Sequence, residues 1–327
     1  MQAASIEQTG PVDRIRVGDR PRPEPKPGEI LVRVGAAAFN PIDLYLRAGS
    51  VAMPLPMPYI LGTDFAGTVE AVGDGVARFA AGDRVWGSNQ GLLGRQGVAA
   101  EYAAVDAELA YPTPEGVPDA EAAARALVGI TAHLGLFQHG GLRAGEAVYV
   151  PGGSGGVGSM VVQMAKAAGA RVATSAGGPD RAALCRDLGA DLALDYKADD
   201  IAARLREFAP GGIDVWYETQ REPNLEVAVP LLARGGRLIL IAGRAAKAVL
   251  PVGPLYTRDG SIRGFAMFNA PPDEQRRAAD DINRWAAAGR LKAPIHRTFP
   301  LDATAEAQRL MEGAAAGGAF KAVILPG

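Results

Sequence analysis

The sequence predicts an α/β protein in which a doubly wound parallel sheet is inserted into a second, β-rich domain. Three observations carry that expectation. Residues 147–175, AVYVPGGSGGVGSMVVQMAKAAGARVATS, read as strand, glycine-rich turn, helix and strand, the order of a βαβ unit. Strands and helices then alternate at short spacing as far as Phe265, as in a parallel sheet covered on both faces. The first third instead holds short apolar runs broken by Gly and Asp turns, the rhythm of a compact barrel. A chain of 327 residues is long for one core, so two domains are the natural division.

In chain order, Pro21, Pro23, Pro25 and Pro27 make a stiff extended lead into the turn at Gly28. Ile30 to Ala38 follow as a strand. Asn40-Pro41-Ile42-Asp43 starts a helix, with Asn at the N-cap, Pro at N1 and Asp at N3. The prolines at 54, 56 and 58 exclude regular structure. A strand resumes over Gly62–Val72, and the turns Gly73-Asp74-Gly75 and Gly82-Asp83 separate it from Arg84-Val85-Trp86. Beyond Ala120 a helix to Leu127 and, after Gly129, a second helical stretch to Phe137 are expected. Helices over 180–188, 201–208 and 225–232 should alternate with strands over 192–194, 213–216, 237–242 and 261–265. The tail reads as helices over 273–288 and 303–311 and a last strand, Phe320–Leu325. Because the parallel sheet is complete before it, the tail should pack on the N-terminal domain.

The chemistry-bearing stretch is Gly153-Ser154-Gly155-Gly156-Val157-Gly158, which satisfies G-x-G-x-x-G between a strand and a helix. Gly153 is expected to permit a tight turn, Gly155 the approach of backbone amides to a pyrophosphate, and Gly158 close helix packing. The diphosphate would sit on first-turn amides that have no intrahelical partner, at the positive end of the helix dipole. Val157, Val161, Ala165 and Ala168 give that helix an apolar stripe. NAD-preferring sites place an acidic residue at the end of the second strand. Here that end reads Thr174-Ser175-Ala176-Gly177-Gly178-Pro179, without a carboxylate, and Arg181 follows, able to pair with a 2′-phosphate. Asp180 beside it fits the first helical turn, facing away. These residues favour NADPH.

Composition excludes several classes. A formal charge of −2 gives no pull toward nucleic acid or anionic lipid. No apolar run reaches membrane-span length, and the N-terminus lacks a signal-peptide core. Cys185 is the only cysteine, which fits a reducing cytoplasm and excludes intrachain disulfides. The three histidines, His133, His139 and His296, have no ligand spacing.

The barrel, sheet and return order resembles the medium-chain dehydrogenase/reductase superfamily, and most closely its zinc-free NADPH:quinone oxidoreductase, or zeta-crystallin-like, branch. The carriers are Phe39-Asn40-Pro41-Ile42-Asp43-Leu44-Tyr45, Gly62–Val72, Ala81-Gly82-Asp83-Arg84-Val85, Gly129-Ile130-Thr131-Ala132, Gly152–Gly158 and Gly235-Gly236-Arg237-Leu238. The resemblance implies a GroES-like, partly open β-barrel catalytic domain (1–121 and 265–327) around a Rossmann domain (122–264). Zinc relatives carry a Cys-containing segment where this chain has Ala36–Asn40, Gly-His-Glu where it has Gly62-Thr63-Asp64, and a four-Cys lobe missing here between Trp86 and Glu101, so zinc is not expected.

By the same resemblance Arg181 and Tyr196 meet the 2′-phosphate, with Ser175, Gly177 and Gly178 beside them. Asn40, Tyr45 and Thr131 surround the nicotinamide and substrate in a cleft between domains. Ile241, Ala242, Gly243, Phe265, Ala266 and Lys321 complete the cofactor site, and Phe320 stands where the family often has a small residue. The implied reaction is hydride transfer from nicotinamide C4 to a quinone or other electron-poor conjugated carbonyl, without metal. Tyr45, with Asn40 as a second candidate, would donate a hydrogen bond to the developing oxyanion. An alkenal/enone double-bond reductase is the alternative within enzymes. A non-catalytic nucleotide- or RNA-binding protein is the alternative outside them, opposed by the near-neutral charge and the lack of a basic–aromatic stripe. A homodimer or homotetramer is expected.

Overall fold

The computed structural model describes residues 1–314 and 321–327. The chain opens with β1 (Gln2–Ile6), β2 (Arg16–Asp19) and β3 (Glu29–Ala38), helix α1 (Pro41–Ala48), then β4 (Tyr59–Ile60), β5 (Asp64–Val72), β6 (Arg84–Gly87), β7 (Tyr102–Asp106) and β8 (Ala110–Pro112). Helix α2 (Asp119–His133) leads into β9 (Ala147–Pro151), α3 (Gly156–Ala167), β10 (Arg171–Ala176), α4 (Pro179–Asp187), β11 (Leu192–Asp195), α5 (Ile201–Phe208) and β12 (Ile213–Glu218). There follow α6 (Leu225–Ala228), β13 (Leu232–Leu240), α7 (Val252–Tyr256) and β14 (Ser261–Gly264), and then α8 (Pro272–Ala287), β15 (Arg297–Pro300), α9 (Thr304–Ala314) and β16 (Ala322–Leu325).

Contacts divide the chain into two compact units, Met1–Leu127 with Gln275–Ala287 and Lys292–Gly327, and Val128–Glu274 with Ala288–Leu291. The tail from Gln275 therefore packs with the N-terminal strands. The sequence-expected limits at 121/122 and 264/265 fall inside α2 and directly after β14.

In the first unit β3 organises a seven-stranded sheet ordered β15-β16-β3-β5-β6-β8, with β7 also on β3. Ten residues long, β3 shares its length, pairing Glu29–Arg33 with β7 and Ala37–Ala38 with β16, while β5 runs along its other side. Ile30, Val32, Val34, Phe39, Phe65, Val85 and Ile324 meet in one apolar cluster, each large side chain contributing about 1.5–3 kcal/mol by leaving water. A second sheet, β2-β1-β4, is built from strands too short to carry a periodic signal.

The second unit holds six parallel strands in the order β11-β10-β9-β12-β13-β14. Counted from its own first strand this is 3-2-1-4-5-6, the doubly wound order, with the reversal between β9 and β12. Residues beyond the C-terminal ends of those strands line the place where such sheets bind ligands.

Four expectations are corrected. Helix α2 does not stop at Gly129 but runs unbroken to His133, followed by a π-helical turn over Leu134–His139. Glycine costs a helix about 1 kcal/mol relative to alanine, less than is gained by burying Ala123, Ala126 and Ile130 on the same helix. Helix 225–232 shrinks to Leu225–Ala228 and a 3₁₀ turn over Val229–Leu231, because Pro230 has no N–H to continue the ladder. Strand β13 accordingly starts at Leu232 rather than Arg237 and stops at Leu240, leaving Ile241 and Ala242 in a loop. The last strand begins at Ala322, and Phe320 lies outside the described residues. Among those described, no helix is long and apolar enough to cross a membrane.

Candidate active site

The glycine turn in the second unit is a site made by removing side chains. Strand β9 is buried along its whole length and ends against Gly152, whose φ of 78° lies in the left-handed region that glycine adopts without strain. The tight turn is thus made at Gly152, not at Gly153 as the motif suggests. Gly153 serves another need, since a Cβ there would collide with the Thr174 hydroxyl, which donates to the Val150 carbonyl at 2.6 Å. Gly152 and Gly153 both donate their N–H to the Ser175 carbonyl, at 2.9 and 3.1 Å, fastening the turn to the end of β10. A Cβ on Gly158 would strike the Gly152 carbonyl, so α3 lies directly on the turn.

Gly155 is the N-cap of α3 and carries no side chain to occupy the first-turn amides, and that turn has no acidic residue. Ser154, Gly156 and Val157 are half-buried around it. The start of α3 fits a diphosphate: its N-cap carries no side chain, its first turn carries no carboxylate, and the helix dipole is positive there.

Ser175 supports this arrangement from behind. It is buried, and its hydroxyl is 2.8 Å from that of Tyr149, a phenol held above its usual range by burial. Its main-chain carbonyl meanwhile holds the turn through the N–H groups of Gly152 and Gly153.

Beyond β10, Gly178 has φ 99° and α4 begins, with Asp180 exposed in its first turn and Arg181 half-buried. The Tyr196 hydroxyl lies over Gly177, where a Cβ would stand too close to it. The residue that joins these pieces is Asp195, which the motifs did not reveal. Its Oδ1 accepts the N–H of Gly178 at 2.9 Å and of Lys197 at 3.0 Å, and these two bonds hold the carboxyl below its ordinary pKa. An Asp at the end of a strand, bonding the amide two residues on, is an Asx turn and would have been a usable signal.

At the end of β12, buried Glu218 accepts from Trp216 Nε1 at 3.1 Å and from the Gln220 N–H at 2.8 Å. Burial pushes its carboxyl up. The Thr219 hydroxyl donates to the Pro151 carbonyl at 2.5 Å, tying this loop to the end of β9. Ile241, Ala242 and Gly243 are half-buried just past β13, with Gly243 at φ 85°. Phe265 and Ala266 follow β14, the Phe265 ring resting 4.3 Å from that of His139. Burial and Arg263 lower the His139 pKa. Thr131 is buried in α2 and its carbonyl accepts the Tyr217 hydroxyl at 2.6 Å. Gly135 leaves the room for that phenol.

The first unit holds a site of the opposite kind, a buried polar cluster at the head of α1. Pro41 and the carboxylate of Asp43, which takes the Asn40 N–H at 2.6 Å, start the helix as expected. The Asn40 amide nitrogen donates to Thr63 Oγ1 at 3.1 Å and to Asp64 Oδ2 at 2.7 Å. Asp64 also accepts from Ser88 Oγ at 2.6 Å and from the Leu127 N–H at 3.2 Å. The Thr63 hydroxyl donates to Asp43 at 3.1 Å. Lys321 Nζ closes the cluster, 2.7 Å from Asn40 Oδ1 and 3.2 Å from Asp64 Oδ2.

Burial pushes the Asp43 carboxyl up to about 7, against the Asn40 bond that lowers it. Lys321 points its ammonium into this cluster, and both donors of the Asn40 amide are engaged inside it. Tyr45 stands half-buried in the second turn of α1. Among the described residues no three His, Cys, Asp or Glu side chains gather as a metal site.

The sequence matches the model of the alcohol dehydrogenase GroES-like domain over residues 26–115 and that of the zinc-binding dehydrogenases over residues 156–284. It is 30% identical to the human quinone oxidoreductase over 321 residues, covering 97% of this chain and 96% of that one. Among solved structures it is similar to an NAD-dependent alcohol dehydrogenase, at 30% identity and a TM-score of 0.90. It is also similar to a mycobacterial protein solved with NADPH, at 29% identity and a TM-score of 0.85. Both likenesses span the full length of each chain.

Proposed function

The chain belongs to the quinone oxidoreductase branch of the medium-chain dehydrogenase/reductase superfamily, and from that premise we propose an NADPH-dependent reductase of quinones or other electron-poor conjugated carbonyls that works without a metal. The observation that carries the reading is the glycine-rich turn at the N-terminus of α3, at the reversal point of the parallel sheet and beside a strand end that has no carboxylate. Gly153–Gly158 would hold the diphosphate, Arg181 and Tyr196 the 2′-phosphate, and Ile241–Gly243 with Phe265 and Ala266 the nicotinamide side. Bound there, NADPH supplies the hydride from C4.

The protein's own work is to orient, to exclude water and to stabilise charge. Tyr45 donates its hydroxyl to the acceptor oxygen on which negative charge develops. Asn40, its amide donors already engaged, holds the start of the helix that carries Tyr45. Solvent delivers the proton, and no dedicated acid is needed. Against metal chemistry stand Ala36–Phe39 and Thr63 at positions where zinc relatives have ligands. Assembly as a homodimer or homotetramer belongs to the same proposal, and sedimentation equilibrium measures it.

Stopped-flow oxidation of NADPH by a simple quinone tests the reading. Rapid turnover to hydroquinone is expected, and absence of turnover with every quinone and α,β-unsaturated ketone tried would overturn it. A saturated ketone as the only product would instead assign double-bond reduction. Tyr45→Phe should lower kcat about 100-fold, the order reported for loss of one oxyanion donor, with NADPH affinity unchanged.

A further inference from the structure

We infer that Lys321 is a positioning residue: its ammonium is the counter-ion that holds Asn40 and Asp64 together and so sets the head of α1. Its place follows from the sheet. Strand β16 pairs antiparallel with β3, Val323 opposite Ala38, and the Phe39 N–H bonds the Ala322 carbonyl at 3.1 Å, so Lys321 comes opposite Asn40. The main chain of Lys321 is clamped as well, its N–H donating to His296 Nδ1 and its carbonyl accepting the His296 N–H, both at 3.0 Å. Lys321 is 5% exposed, and its Nζ meets one amide oxygen and one carboxylate.

Electrostatics require such a group. Two carboxylates, Asp43 on α1 and Asp64 on β5, lie together at 1% and 0% exposure. The charged groups that face Asp43 are Asp64 and Lys321, and the neutral Tyr59 phenol feels the same carboxyl. Without the ammonium, Asp64 would keep its hydrogen bonds but lose its only ion-pair partner in the cluster, and a buried charge left unpaired is strongly disfavoured. The Asn40 amide would lose the partner of its oxygen and with it a reason to keep its present orientation. Asn40, Pro41 and Asp43 begin the helix on which Tyr45 sits one turn later, so the charge is felt at the proposed oxyanion donor through helix placement.

Only the kinetic arm of the test rests on the proposed reductase activity. Lys321→Met, with Asp64→Asn and the double variant D64N/K321M, is compared with wild type by three readouts. NADPH affinity, followed by quenching of protein fluorescence, should stay within about twofold of wild type, since a factor of two is well under the tenfold that 1.4 kcal/mol represents. The thermal midpoint of K321M should fall more steeply than that of wild type between pH 5 and 8. Lys321 holds down the Asp43 pKa of about 7, so without the ammonium that carboxyl is pushed further up and more stability is lost as pH rises. The double variant should recover the wild-type slope. At saturating NADPH and quinone, kcat of K321M should drop about tenfold without a matching rise in KM, the signature of a displaced group.

A tenfold weaker NADPH affinity would make Lys321 a cofactor ligand and overturn the inference, as would an unchanged midpoint slope or an unchanged kcat. Should K321M fail to fold, D64N reads the pairing from the other side. The Asp64 charge raises the Asp43 pKa, so removing it should make the midpoint fall less with pH than in wild type, and a wild-type slope would overturn the inference. If wild type turns over no quinone, the reductase reading fails while the affinity and midpoint arms still decide the role of Lys321.

Discussion

The glycine turn of the second unit and the polar cluster of the first solve opposite problems. Between Gly152 and Gly158 the working groups are backbone amides, and the design consists of atoms left out, so that Thr174 and the Gly152 carbonyl can come close. Around Asn40 the working groups are side chains from α1, β5, the end of β6 and the start of β16, joined to one another by hydrogen bonds. The first site is broken by adding an atom and the second by removing one. The difference also sets how far apart the parts lie in sequence: seven consecutive residues make the turn, whereas Lys321 and Asn40 are 281 positions apart.

Substitutions that exploit this contrast rank by expected effect. Gly158→Val adds atoms where the obstacle is backbone, which cannot swing away, and should weaken NADPH binding at least about 100-fold, nearly 3 kcal/mol. Calorimetric titration measures it, and near-normal affinity would mean that the turn does not hold the diphosphate. Arg181→Ala removes the proposed charge-assisted partner of the 2′-phosphate and should cost about tenfold in NADPH affinity while leaving NADH affinity unchanged. An equal loss for both cofactors would deny Arg181 its part in discrimination.

Asp43→Asn sharpens the comparison from the cluster side. Asp43 is about 7 in the fold against about 3.9 in an unfolded chain. The folded state therefore holds a proton that the unfolded state has lost, and stability declines as pH rises from about 4 to about 7. Asparagine should flatten that decline in a series of thermal midpoints, and an unaltered slope would place the titration elsewhere. The smallest effect belongs to Asp195→Ala, which frees the amides of Gly178 and Lys197 and should weaken NADPH binding about threefold, the scale of one modest hydrogen bond. Amide hydrogen exchange at Gly178 and Lys197 should speed up in the same variant.

Much of the second unit was legible because its signals are local. Helix α5 occupies the expected residues, Ile201–Phe208, and the G-x-G-x-x-G run sits where a strand meets a helix. Where reading failed, a local cue was overruled by packing. Gly129 suggests a break, yet the helix continues because the face it would expose is apolar. Strands β1, β2, β4 and β15 are two to five residues long, too short for periodicity to emerge.

The residues alone determined the α/β alternation, the dinucleotide turn and the helix start at Asn40, since each depends on neighbours within a few positions. The tertiary structure decided that Gly152 makes the turn, that Asp195 pins Gly178 to Lys197, and that Lys321 turns into a carboxylate cluster rather than outward. Those outcomes depend on strand register and on the cost of burying charge, and a register pairs residues that the sequence keeps far apart.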